Sequence, residues 1–162
     1  GDKDYYAAIL ANSILGGGGT ARLFMNLRED KGYTYGSYSS VRQNKHAATF
    51  RATASVRNIV TDSSVVEMFN EIERIKTEPV DSKALKLAKA KYVGNFVMAL
   101  ERPQTIANYA LNIKTKDLPE DFYTTYLQKI NDVTVEDILA NQSFAIRGSK
   151  NLPASYATSL PE

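Results

Sequence analysis

The chain has 162 residues, 43% of them apolar and 23% charged, with a net charge of +2 and no cysteine. That length supports a buried core without metal or disulfide staples, and the missing cysteine excludes disulfide frameworks, thiolate metal sites and cysteine nucleophiles. The near-neutral charge argues against nucleic-acid binding, and no run of about 18 apolar residues is present, so no membrane span is expected.

The opening Gly1-Asp2-Lys3-Asp4 is not a signal peptide and reads as the boundary of a piece cut from a longer protein. Residues 4 to 16 carry Tyr6, Ile9, Leu10 and Ile14 at helical spacing, with Asp2 or Asp4 as the cap. Gly16 to Gly19 stop that helix and form a flexible connection. Thr20 is placed to cap a second helix over 21 to 30, with Leu23, Phe24 and Leu27 on one face. Gly32 closes it.

From Tyr33 the period changes to two. Tyr33, Tyr35, Ser37 and Ser39 are expected on one side, and Thr34, Gly36, Tyr38 and Ser40 on the other. Asn44-Lys45 forms a turn, and Ala47 to Val56 a second strand, giving an antiparallel hairpin. A third helix over 60 to 77 directs Val65, Met68, Phe69, Ile72 and Ile75 inward. Asp81 or Ser82 caps a long fourth helix with Ala88, Tyr92, Phe96 and Leu100 four apart. Pro103 breaks or kinks it, and helix resumes to about 113. Leu118-Pro119-Glu120-Asp121 opens a helix over 120 to 130, and Thr134 caps a short one ending near Asn141. Phe144 to Gly148 reads as a last strand, and 149 to 162 as an irregular tail.

This order predicts an α+β fold for residues 1 to 148: a small antiparallel sheet, made of the hairpin and the late strand, packed against several helices. So thin a sheet rarely stands alone, so a strand from upstream or from a partner is expected to complete it.

Few residues offer chemistry. The glycine run lacks the Gly-Lys-Ser/Thr of a phosphate loop and follows a helix rather than a strand. His46 is the one histidine and sits in a polar turn, short of the three or four ligands a zinc site needs. Glu29-Asp30 are sequence neighbours that point apart on a helix, so they do not flank one scissile bond. Arg28 and Tyr35 remain, seven residues apart across a turn, a placement suited to holding an extended peptide. Taken alone, a helix-end arginine is ordinarily a surface charge and a strand tyrosine ordinarily half-buried packing.

Leu15, Gly16 to Gly19, Thr20, Ala21, Arg22, Leu23 and Phe24, followed by Leu27-Arg28-Glu29-x-x-Gly32-x-x-Tyr35-Gly36, resemble the second, non-catalytic half of the insulinase/pitrilysin family of zinc metallopeptidases, of which mitochondrial processing peptidase is a member. Ala88 to Tyr92, Phe96, Leu100-Glu101, Ile106-Ala107, Leu118 to Tyr126 and Ile130 to Asp137 follow in the family's order. The resemblance implies one half of a clamshell closed around a peptide substrate. The catalytic half, in the same chain or in a separate subunit, carries H-x-x-E-H and the zinc. This chain has no H-x-x-E-H, and the resemblance implies no metal or other cofactor bound by it, and no hydrolysis by it alone. It also implies that Arg28 and Tyr35 contact substrate, with Gly17, Gly18 and Gly19 nearby. Tyr35, rather than Tyr33, fits the family's spacing. Bacterial relatives include cytoplasmic and periplasmic forms, so the compartment stays open. Two other readings stay open as well: a purely structural assembly domain of a peptidase-like complex, and an enzyme in its own right using His46 or Tyr35.

Overall fold

The computed structural model describes residues 2–43 and 48–140. Its centre is the first helix, α1 (Asp2–Gly16). Tyr6, Ala7, Ala8, Ile9, Leu10, Ile14 and Leu15 are all buried on it. A helix apolar on nearly every side must be covered on nearly every side, and α1 is packed by both later helices and the sheet. The helix begins at Asp2, so Asp4 lies inside its first turn and is not the cap expected of it.

After Gly16 the backbone turns through Gly17 N–H to Ser13 C=O (3.1 Å) and Ala21 N–H to Gly18 C=O (3.0 Å). The next helix, α2, runs over Arg22–Phe24 and continues through Met25–Asp30 as a wider π-helical turn. Thr20 is not its cap. Ala21 holds the extended cap conformation, without a side-chain bond, which leaves the Thr20 hydroxyl one position too early to reach the free amides. Gly32 does close the helix. Its φ of 62° is one that a side chain resists, and its N–H reaches Arg28 C=O at 3.1 Å while Tyr33 N–H reaches Leu27 C=O at 2.8 Å.

Strands β1 (Thr34–Gln43) and β2 (Ala48–Val56) form the antiparallel hairpin, the sheet among the described residues. From Ser37 outward the pairing is regular, Ser37 opposite Ala54 through Gln43 opposite Ala48. Ahead of it, three steps from Thr34 to Ser37 oppose two from Val56 to Ala54. The extra residue is a bulge, and it reverses the side on which Tyr35 emerges. Ser37 is buried and Ser39 bonds to α1, but Tyr35 is 95% exposed. The expected sharing of one face by Tyr35 and Ser37 therefore fails. Thr34 fixes the bulge: its hydroxyl donates to Ser55 C=O (2.7 Å) and accepts from Gly36 N–H (3.2 Å). The Asn44-Lys45 turn and His46 lie outside the described residues.

A short 3₁₀ turn (Asn58–Val60) leads into α3 (Thr61–Thr77). Ile72 and Ile75 are buried and Met68 packs on the core as expected. Val65 and Phe69, however, are only half-buried. The buried stripe runs through Ser64, Glu71, Ile72 and Ile75, with half-buried Met68 packed beside it, rotated toward residues 64 and 71 from the expected one, so that a carboxylate faces inward. Helix α4 (Ser82–Leu100) is capped by Asp81, whose carboxylate accepts Lys83 N–H at 3.2 Å. Pro103 is the first residue of α5 (Pro103–Thr115), a full break rather than a kink. Helix α6 (Phe122–Asp132) is followed by α7 (Val135–Ala140). There Thr134 and Asp137 form a reciprocal cap, Asp137 N–H to Thr134 Oγ1 at 3.1 Å and Thr134 N–H to Asp137 Oδ2 at 2.9 Å. The result is α+β, helix-dominated, with one core gathered around α1. The expected strand over 144 to 148 and the tail over 149 to 162 lie outside the described residues. No helix among the described residues is long and apolar enough to cross a membrane.

Candidate functional site

Helix α2 buries Leu23, Phe24 and Leu27 and presents two other sides to solvent. On one side the Arg28 side chain, 46% exposed, lays its guanidinium over the Phe24 ring, with Cζ 4.8 Å from the centroid. Residues four apart on a helix meet in this way, and a guanidinium over an aromatic face is attracted by its quadrupole. Glu29 Oε1 stands 3.6 Å from Arg28 Nε, a surface pair of small worth. Phe24 also meets Tyr38 of β1, with ring centroids 5.9 Å apart at 49°. Tyr38 lies across Gly36, where a Cβ would come within 2.7 Å of its ring. Gly19 borders Phe24 on the remaining side: a Cβ there would touch the ring at 3.8 Å.

Phe24 thus gathers Arg28, Tyr38, Gly36 and Gly19 into one surface. Tyr35 stands out from the bulge beside Gly36 and is 95% exposed. The other glycines have structural work. A Cβ on Gly16 would sit 2.4 Å from Ser39 N, so only glycine lets α1 lie this close to β1. A Cβ on Gly17 would meet the Ser13 backbone at 2.6 Å, and Lys91 Nζ donates to Gly17 C=O and crowds Gly18. Of the run, only Gly19 is exposed.

The opposite side of α2 faces α3 across an open cleft of about 570 Å³. Asn26 Nδ2 donates to Glu67 Oε2 (3.0 Å) and to Glu71 Oε1 (2.9 Å). Glu71, 4% exposed, also accepts from Arg74 Nη1 at 3.0 and 3.2 Å. The Glu71 carboxylate raises the Arg74 pKa above its ordinary value. Burial first, and then the Arg74 charge, lower that of Arg22. A buried carboxylate is tolerated because it is paired and hydrogen-bonded. Sequence reasoning missed this network, and missed Phe24 and Tyr38 as parts of the surface. The four-residue spacing of Phe24 and Arg28 was a usable signal. A glutamate on an otherwise apolar helix face gave none until its partners were known.

Chemically the exposed surface offers a guanidinium, a phenol and aromatic faces: donors for carbonyl oxygens and platforms for side chains. Among the described residues no group of three or more histidine, aspartate or glutamate side chains converges to hold a metal. That donor set does not fit a zinc site.

Comparison with known proteins gives a consistent result. The family model described as the peptidase M16 inactive domain matches residues 1–92. The uncharacterized zinc protease YmxG of Bacillus subtilis is 27% identical over 170 residues, covering 95% of this chain and 40% of its own length. The solved peptidase M16 inactive domain from Pseudomonas fluorescens superposes with a TM-score of 0.79 at 25% identity, over 85% of this chain and 33% of that one. A protease from Helicobacter pylori gives 0.78 at 20% identity, over 87% and 34%. The chain thus spans well under half the length of these relatives.

Proposed function

The chain belongs to the peptidase M16 inactive-domain family, and from that premise we propose that it is the substrate-binding, non-catalytic half of a zinc-dependent metalloendopeptidase. In this reading it closes a peptide chamber with a homologous half that carries H-x-x-E-H, in the same chain or a separate subunit. The zinc belongs to that half, where it activates water for peptide hydrolysis. The observation that carries the reading is the exposed Arg28 guanidinium, held over Phe24, with the exposed Tyr35 phenol on the adjoining bulge. Both donate hydrogen bonds to peptide carbonyls and to the charge that develops on them. Gly19, preceded by Gly17 and Gly18, keeps the neighbouring surface low so that an extended backbone can approach.

The test is Arg28→Ala and Tyr35→Phe in the assembled peptidase. Removing one such donor is expected to lower kcat/KM roughly 10²-fold, with the melting temperature unchanged in Tyr35→Phe, which loses an exposed hydroxyl, and only slightly lowered in Arg28→Ala, which gives up the contact with Phe24. Unchanged peptide turnover in both variants overturns the substrate-binding role and leaves the domain an assembly element. A second measurement bears on catalysis: the isolated chain with added zinc is expected to hydrolyse no peptide, and zinc-dependent cleavage by it would refute the reading.

A further inference from the structure

We propose that Asn26 and Glu71 are positioning residues, which act on peptide handling by fixing the π-helical turn that carries Arg28. The proposal rests on the substrate-binding reading of Arg28 given above.

Asn26 sits inside the turn, two residues before Arg28. Both hydrogens of its amide nitrogen are committed, to Glu67 and Glu71, one helical turn apart on α3. Facing two carboxylates, only the NH₂ end can point that way, which fixes the amide's orientation. Glu71 is in turn held by Arg74. The chain Asn26–Glu71–Arg74 is therefore a partly buried, charge-assisted clamp between α2 and α3, with Glu71 its buried member. The backbone of the same residue makes the wide turn's own bond, Lys31 N–H to Asn26 C=O at 2.9 Å. A π-helical turn is rarer and less favourable than an α-turn, and it persists where surrounding contacts enforce it. Relaxing it to an α-turn would change the direction in which residue 28 leaves the helix axis. Arg28 projects away from the clamp, over Phe24 toward Tyr38. Asn26 and Glu71 thus touch no part of the proposed peptide surface and act through Arg28.

The test is a double-mutant cycle in the assembled peptidase with Asn26→Ala, Arg28→Ala and the pair. Glu71→Gln serves as the second variant if Asn26→Ala does not fold. Asn26→Ala is expected to lower kcat/KM roughly ten- to hundredfold through misplacement of Arg28, and to cost little further once Arg28 is alanine. Additive losses would mean a clamp that serves stability alone, and would overturn the proposal. Amide hydrogen exchange over residues 27 to 33 gives a readout independent of turnover. Faster exchange in Asn26→Ala, with the rest of the chain unchanged, supports the clamp, and unchanged exchange overturns it. If Arg28→Ala by itself leaves kcat/KM intact, the substrate-binding reading fails while the exchange result still decides whether Asn26 holds the turn.

Discussion

The core around α1 and the margin formed by the end of α4, α5 and the first turns of α6 bury their apolar surface by different means. In the first region aliphatic side chains interlock: Leu10, Leu15, Leu23 and Leu27 are fully buried, and Ile72, Ile75, Val80 and Leu85 pack against them. In the second, α5 has no buried residue at all. Its Tyr109 instead stacks between rings, 5.8 Å from Phe96 and 3.8 Å from Tyr123, and Tyr126 continues the series to Phe96 (5.2 Å) and to Tyr6 on α1 (5.4 Å). Interdigitated aliphatic cores resist small displacements, whereas stacked rings at a margin leave Ile106 and Leu111 facing outward. The proposed peptide surface stands on the first kind of packing. A group that must meet a substrate within a fraction of an ångström needs that support.

The sharpest way to break the comparison is Leu27→Ala, beneath Arg28. Removing a fully buried leucine is expected to cost ~2–5 kcal/mol in urea unfolding; a loss below ~1 kcal/mol would show the first region to be as loosely packed as the second. A smaller, local effect is expected at the α7 cap. Thr134→Ala removes the acceptor for Asp137 N–H and is expected to cost ~1 kcal/mol, with loss of exchange protection confined to α7.

The ring series makes a pH prediction. Burial first, and then Tyr5, raise the Tyr126 pKa well above its ordinary 10.0, and burial likewise raises those of Tyr5, Tyr92 and Tyr109. A phenol whose folded pKa is raised contributes stability that is fully present below the unfolded value. That contribution is lost as pH climbs from there through the folded value, because the unfolded chain releases its protons first. The melting temperature is therefore expected to fall above about pH 10, and Tyr126→Phe to flatten that alkaline limb. An identical limb in the variant would place the titration elsewhere. The smallest effect is expected at Leu111, exposed on α5: Leu111→Ser should change stability by no more than ~0.5 kcal/mol.

Much of this was legible from residue order. The helical spacing of α1, the Gly32 closure, the Asp81 and Thr134 caps, the break at Pro103 and the hairpin all depend on neighbours within a few positions. The family pattern was equally open to reading, because it is a string of residues at fixed spacing. Three features were not. The side on which Tyr35 emerges depends on the register of β1 against β2, and a single bulge reverses it. Asn26, inside the π-helical turn, finds its side-chain partners in carboxylates more than forty residues downstream, Glu67 and Glu71. The inward turn of Glu71 depends on Asn26 and Arg74 being there to receive its charge. Local spacing fixes which element forms, since propensity and periodicity act within a turn or a pleat. How each element is rotated and where it gains or loses a residue are settled by partners brought near only when the chain is folded.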